Sequence, residues 1–155
     1  MTTTTQAVRL TTRNGRVTAR PAPVLEWELQ AAQIRALRAM PEYGEQFLLA
    51  ADMNAERRGP KARTIAVATG MTAGEPDLRI YGQQGRLMLI ENKAGRGCLS
   101  PAQIDRHAAL AKLGHEVAVL RATTTEDAAA QAVALVRQWL ARNDNAAIDK
   151  VNKSA

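Results

Sequence analysis

Asp77, Glu91 and Lys93 stand in the order D-x13-E-x-K, with a hairpin signature between the aspartate and the glutamate. The apolar runs Asp77–Tyr81 and Arg86–Lys93 flank the Gly-bounded stretch GQQG, which predicts two antiparallel strands. Pairing Tyr81 with Arg86 across that turn puts Asp77 opposite Ile90, within one residue of Glu91. Glu91 and Lys93 are two apart and share a face of their strand. The three side chains can therefore converge on one point. Paired carboxylates attract a hard divalent cation that prefers oxygen ligands. A lysine beside them is placed to orient or deprotonate a water. Such a set serves metal-assisted hydrolysis of a phosphodiester, in which the cation polarises the phosphoryl oxygen and steadies the leaving oxyanion. Any one of these charges alone would read as a solvated strand end; the ordered set reads as a site.

A fourth acid joins them from an upstream helix. Residues Leu25–Met40 read as helical, with Leu29, Ile34, Leu37 and Met40 clustered on one side of the wheel. Glu26 falls near the middle of that apolar face, with Gln30 one turn on, whereas Glu28 falls on the opposite side near Arg35. A carboxylate aimed at a core is costly unless it meets a cation, so Glu26 is expected beside the site and Glu28 at the surface.

The remaining elements follow from punctuation and periodicity. Residues 46–53 read as a short buried strand, Lys61–Thr69 as a short helix ended by Gly70, and 71–76 as a loop. Ser100 reads as an N-cap with Pro101 at the first helical position, opening a helix that closes at Gly114. Glu116–Arg121 reads as a strand, and TTTED caps a last helix running to Ala141. The expected fold is α/β, with a mixed central sheet near 46–53, 77–81, 86–93 and 116–121 flanked by helices near 25–40, 100–113 and 126–141. Residues 1–22 read as a flexible Thr/Arg-rich arm, disordered or loosely strand-like, and 142–155 as a polar tail, leaving 23–141 as the domain.

Several short motifs resemble the PD-(D/E)XK nuclease superfamily, and more closely its VRR-NUC family, many of whose members are small stand-alone phage proteins. They are PDL at Pro76–Leu78, IENK at Ile90–Lys93, LSPAQ at Leu99–Gln103 and GHEVAVLR at Gly114–Arg121. Glu26 with Gln30, Asn54 with Arg57 and Arg58, and AG at Ala73–Gly74 fall in the matching order. The resemblance spans Leu25–Leu140 and implies a restriction-endonuclease-like core. It implies that Asp77 and Glu91 bind Mg²⁺ or Mn²⁺, that the backbone carbonyl of Asn92 adds a ligand, and that Lys93 is the catalytic lysine. Gln103 resembles the glutamine that reaches the site from the following helix, and Glu26 the first-helix acid, acting on the metal directly or through water. Glu75 stands where an apolar residue is expected. The family's small members resemble junction-resolving nucleases that act as symmetric homodimers, so branched DNA is the expected substrate, with duplex DNA the other candidate.

Composition agrees with a DNA-directed reading. The 155 residues, 46% apolar and 23% charged, are those of one globular domain. With Lys+Arg at 21 and Asp+Glu at 15, the chain is basic, which favours an anionic partner. Aromatic residues are only 3%, too few for base-stacking platforms, so contact should run through the phosphates. Arg57, Arg58, Lys61, Arg63 and Arg96 lie just before PDL and just after E-x-K, where phosphates would pass. The single cysteine, Cys98, excludes an intrachain disulfide and a cysteine zinc site. It reads as incidental, His107 and His115 as structural or surface residues, and Trp27 and Trp139 as core or interface anchors. No apolar run approaches the length of a membrane span, so a cytoplasmic protein of a bacterial or phage-infected cell is expected, with no membrane partner and no organic cofactor.

Overall fold

The computed structural model describes residues 8–52 and 59–153, with side chains described except at positions 20, 21 and 143–153. Arg57 and Arg58 of the basic turn, and Asn54 beside them, lie outside the described residues.

Among the described residues the elements follow one another as β1 (Val8–Arg13), β2 (Arg16–Pro21), α1 (Glu26–Arg38), β3 (Phe47–Ala51), α2 (Pro60–Ala68), β4 (Leu78–Gly82), β5 (Leu87–Ala94), α3 (Pro101–Lys112), β6 (Val117–Ala122) and α4 (Thr125–Lys153). The central sheet has the order β3-β4-β5-β6. Its first two pairings are antiparallel and the last is parallel, so the expected mixed α/β sheet is the fold. Parallel β5 and β6 need a crossover, and α3 supplies it.

Alternation along β4 and β5 sorts the two faces of the sheet. Leu78, Ile80, Met88 and Ile90 point one way and form the core with Leu37 of α1, Met40 just after it, Phe47 of β3, and Ala132, Val136 and Leu140 of α4. The opposite face carries Glu91, which α3 covers through Gln103. A smaller cluster of Leu29, Ala122 and Ala128 closes the near end of α1 against α4.

Four expectations change. First, the register is shifted by one: Tyr81 pairs with Leu87 and Leu78 with Ile90, so continuing it sets Asp77 opposite Glu91 rather than Ile90. The cause is the turn, where Gln83–Gly85 form a short 3-10 segment and Gly82 N–H donates to the Arg86 carbonyl, so Arg86 is spent in the connection. Second, β3 is an edge strand rather than a buried one, with Leu48 exposed on it. Third, part of the Thr/Arg-rich arm is an ordered hairpin, β1–β2. Its turn, Asn14-Gly15, has φ of 50° and 73°, the left-handed pair that a two-residue hairpin turn demands. Fourth, α4 continues through Lys153 rather than stopping at Ala141, since no Gly or Pro interrupts residues 142–153. Trp139 packs against the core as expected, while Trp27 is exposed on α1 and is no core anchor.

Candidate active site

The site is assembled from three local pieces. The first is the approach to β4. Gly74 sits at φ +79° against the start of α3, where an added Cβ would lie 2.2 Å from the Ala102 carbonyl oxygen, so only glycine lets this loop close on the helix. Pro76 is buried behind it, and Asp77 follows at the mouth of the strand. Glu75 is also tied down: its carboxylate lies 3.1 Å from Arg79 Nη2 and 2.8 Å from Arg106 Nε. Arg79 lies 2.5 Å from Asp52 as well. An apolar residue is therefore not needed at position 75, because two guanidinium groups neutralise the acid and pin the PDL segment to β3 and α3.

The second piece is β5, whose Glu91, Asn92 and Lys93 are all buried. Asp77 Oδ2 accepts the Asn92 backbone N–H at 2.7 Å, which locks the aspartate against β5. Glu91 Oε1 lies 3.0 Å from Lys93 Nζ, and the same ammonium lies 3.4 Å from Glu26 Oε1. Asp77, Glu91, Lys93 and Glu26 are thus brought together, but Glu26, at the first turn of α1, reaches Lys93 from an exposed position rather than from a buried face. Glu28 is not among them; it accepts the Leu25 N–H at 2.8 Å and caps α1 instead.

The third piece is the first turns of α3. Ser100 Oγ accepts the Gln103 N–H at 3.3 Å, and Gln103 Oε1 accepts the Ser100 N–H at 2.9 Å, a reciprocal capping box. Gln103 Nε2 then donates to Glu91 Oε1. A glutamate could fill the capping role but has no N–H for Glu91, so the chemistry at this position requires the amide.

Two residues not assigned to the site from the sequence also take part. Gln33, buried, donates to Asn92 Oδ1 at 2.8 Å from the other side of β5. With Glu26 and Gln30 it forms an i, i+4, i+7 stripe along α1, a pattern legible in the sequence. His107 is one helical turn beyond Gln103, and its Nε2 lies 3.9 Å from Glu91 Oε2. It is therefore a neighbour of the site rather than a surface residue. His115 and Cys98 are exposed, as are Lys61, Arg63 and Arg96.

The electrostatics follow from burial. Removing Glu91 from water, with the Asp77 charge added, pushes its carboxyl up to about 7 despite the neighbouring Lys93. Burial likewise raises Asp77, partly offset by the Asn92 N–H. For Lys93 burial works against the charge, but the hydrogen bond and charge of Glu91 outweigh it and hold the ammonium above its ordinary value. Lys93 is accordingly a cation at neutral pH, suited to orienting a water or a phosphate oxygen rather than to removing a proton. Burial, then the charge of Lys93, lowers His107, leaving it neutral.

The donor set suits a hard divalent cation. Glu91 Oε2 is buried and has no hydrogen-bond partner, and Asp77 stands across from it in register. Among the described residues no three His, Cys, Asp or Glu side chains form a cluster able to hold a metal ion by themselves. Two facing carboxylates suit a cation such as Mg²⁺, which keeps several waters of its own.

No protein-family model matches the chain, and no curated protein matches it in sequence. Among solved structures it is similar to a VRR_NUC domain protein, at 21% identity over 76% of this chain and 88% of the other, with a TM-score of 0.51. The chain has the fold of that VRR_NUC protein. The VRR_NUC likeness covers three quarters of the molecule, and it agrees with the α/β core expected from the PDL, E-x-K and LSPAQ motifs. Among the described residues no helix is long and apolar enough to cross a membrane.

Proposed function

We propose that this chain is a divalent-metal-dependent endodeoxyribonuclease of the VRR-NUC kind, hydrolysing phosphodiester bonds in DNA. The observation that carries this reading is the convergence of Asp77, Glu91 and Lys93 across two paired strands, with Gln103 donating to Glu91. Asp77 and Glu91, with the Asn92 carbonyl, would hold Mg²⁺ or Mn²⁺, and Glu26 would act on the ion directly or through water. The cation, when bound, polarises the phosphoryl oxygen and steadies the leaving oxyanion.

The chain's own residues do the rest. Lys93, held as an ammonium by Glu91 and Glu26, orients the attacking water and offsets charge on the phosphate. Gln103 fixes the rotamer of Glu91, and Gln33 fixes Asn92 so that its backbone is held in place. Lys61, Arg63 and Arg96, with Arg57 and Arg58, would contact phosphates on either side of the cut. Branched DNA is the substrate we favour and a homodimer the working form, since two strands of a junction must be cut by symmetry-related sites. On this reading the protein belongs in the cytoplasm of a bacterial or phage-infected cell.

The direct test incubates the purified protein with an end-labelled four-way junction, a matched duplex and a single strand, with Mg²⁺ or Mn²⁺, and maps the cuts. Paired symmetric nicks near the junction centre are expected. DNA binding without any cut in either metal would replace this reading with that of a nuclease-like binding or assembly protein.

A further inference from the structure

The β1–β2 hairpin has a sequence pattern that the active site does not absorb. Its antiparallel register pairs Val8 with Pro21, Leu10 with Ala19 and Thr12 with Val17. The alternate pairs are Arg9 with Arg20, Thr11 with Thr18 and Arg13 with Arg16. Directly paired residues share a face, so the ribbon has one apolar side and one side built from arginine and threonine. Val8, Leu10 and Val17 are exposed, as are Arg9, Arg13 and Arg16. Among the described residues no carboxylate lies within ion-pair distance of Arg9, Arg13 or Arg16. No Asp or Glu occurs before Glu26.

This arrangement is costly as it stands. Like charges placed directly across a strand pair destabilise it, and here Arg13 is paired with Arg16 while the backbone register sets position 20 opposite Arg9. An isolated two-stranded hairpin is marginal even without that cost. A polyanion removes the repulsion. The ribbon's shape also says which one. A major groove of B-form DNA, about 12 Å wide, admits a two-stranded β-ribbon, whereas the A-form groove of duplex RNA is too narrow. The ribbon carries no aromatic residue, so it offers no stacking platform for single strands. The two arginine pairs are four residues apart, about 13 Å along the ribbon, enough to engage separate phosphates. Thr11 and Thr18 lie between the pairs with their hydroxyls 3.1 Å apart, and keep the centre of that face polar.

We propose that β1–β2 is a duplex-DNA-binding arm, lying along a groove with its arginine face on the phosphate backbone, as a contact separate from the metal site. Binding is read in excess EDTA, so no cleavage is involved and the outcome stands apart from the nuclease reading. Fluorescence anisotropy with a labelled duplex is measured for the full chain against salt. The variant Arg9→Ala/Arg13→Ala/Arg16→Ala/Arg20→Ala should weaken binding at least about tenfold at 0.1 M salt and lower the log–log salt slope by about 3.6, at roughly 0.9 per phosphate contact. The all-lysine version of the same four positions should restore most of the slope, which a merely structural role for the guanidinium groups would not allow. Leu10→Ser/Val17→Ser, on the other face, should leave the slope unchanged. An unchanged slope in the all-alanine variant overturns the proposal. So does equal or tighter binding of duplex RNA or of anionic lipid vesicles by the wild-type chain.

Discussion

The molecule contains two antiparallel hairpins that use charge in opposite ways. In β4–β5 the chain buries Glu91, Asn92 and Lys93 inside the fold, with α1, α3 and α4 around the sheet. In β1–β2, Arg9, Arg13 and Arg16 stand in solvent on a ribbon whose main packing is with itself. Burial shifts the β5 glutamate to about 7, while the Asn92 backbone N–H is held by Asp77 and the Gln103 amide by Glu91. Like charges on β1–β2 find no such partner within the described chain. The same local physics, alternation plus a tight turn, thus produces either a reactive centre or a charged surface. What separates them is whether helices cover the strands.

The largest expected difference between the hairpins is chemical. Asp77→Ala and Glu91→Ala should each reduce cleavage by about a thousandfold or more, several kcal/mol of transition-state stabilisation, while DNA binding is kept or tightened. Excess EDTA should do the same to the wild-type chain. Gel-resolved cleavage rates measured beside anisotropy check this, and cleavage that survives either change would place the catalytic centre elsewhere.

A second difference is structural. Leu78 is fully buried in β4, so Leu78→Ala should cost about 2–5 kcal/mol. Leu10→Ala in the exposed ribbon should stay within about 0.5 kcal/mol. Urea denaturation of the two variants sets the values side by side. Similar losses would mean that the ribbon packs on something in solution.

Gln103 sharpens the comparison within the buried hairpin. Gln103→Glu keeps the acceptor that caps Ser100 but removes the donor to Glu91 and adds a like charge. Activity should fall by about 10–100-fold, with the melting temperature nearly unchanged, as for loss of a support to a metal ligand. A drop in stability equal to that of Gln103→Ala would show that the residue serves the cap and not the site.

The smallest expected effect is on stability against pH. Glu91 is raised in the folded state from 4.5 to about 7, so the folded form holds its proton more tightly than the unfolded form does. That contribution is fully present below pH 4.5 and is lost as the pH rises through about 7. In EDTA the melting temperature of the wild-type chain should therefore decline across this window relative to Glu91→Gln, whose amide does not titrate. Parallel curves for the two proteins would mean that Glu91 is not desolvated in solution.

Much of this was legible in the chain itself. Ser100-Pro101 announced the start of α3, Gly114 its end, and the E-x-K spacing the shared face of Glu91 and Lys93, because caps, left-handed stops and strand alternation are local. The Asn-Gly turn of β1–β2 was equally local, but alternation of arginine with small apolar residues hides a strand from a search for apolar stripes. The length of α4 was also readable, since nothing in its polar end breaks a helix.

Other features needed the packed fold. The pairing of Asp77 with Glu91 hung on one residue in the β4–β5 turn, and a register slip of one reverses the face of every side chain. Glu75 could be placed only once Arg79 and Arg106 were seen to meet it from a strand and a helix. His107 looked like any helical histidine until α3 was laid across β5. Sequence alone determined which residues could do chemistry and which elements carry them, because those choices are made within a few bonds. Only the tertiary structure decided which oxygen faces which cation and which charges leave water, because desolvation and contact depend on atoms brought from far along the chain.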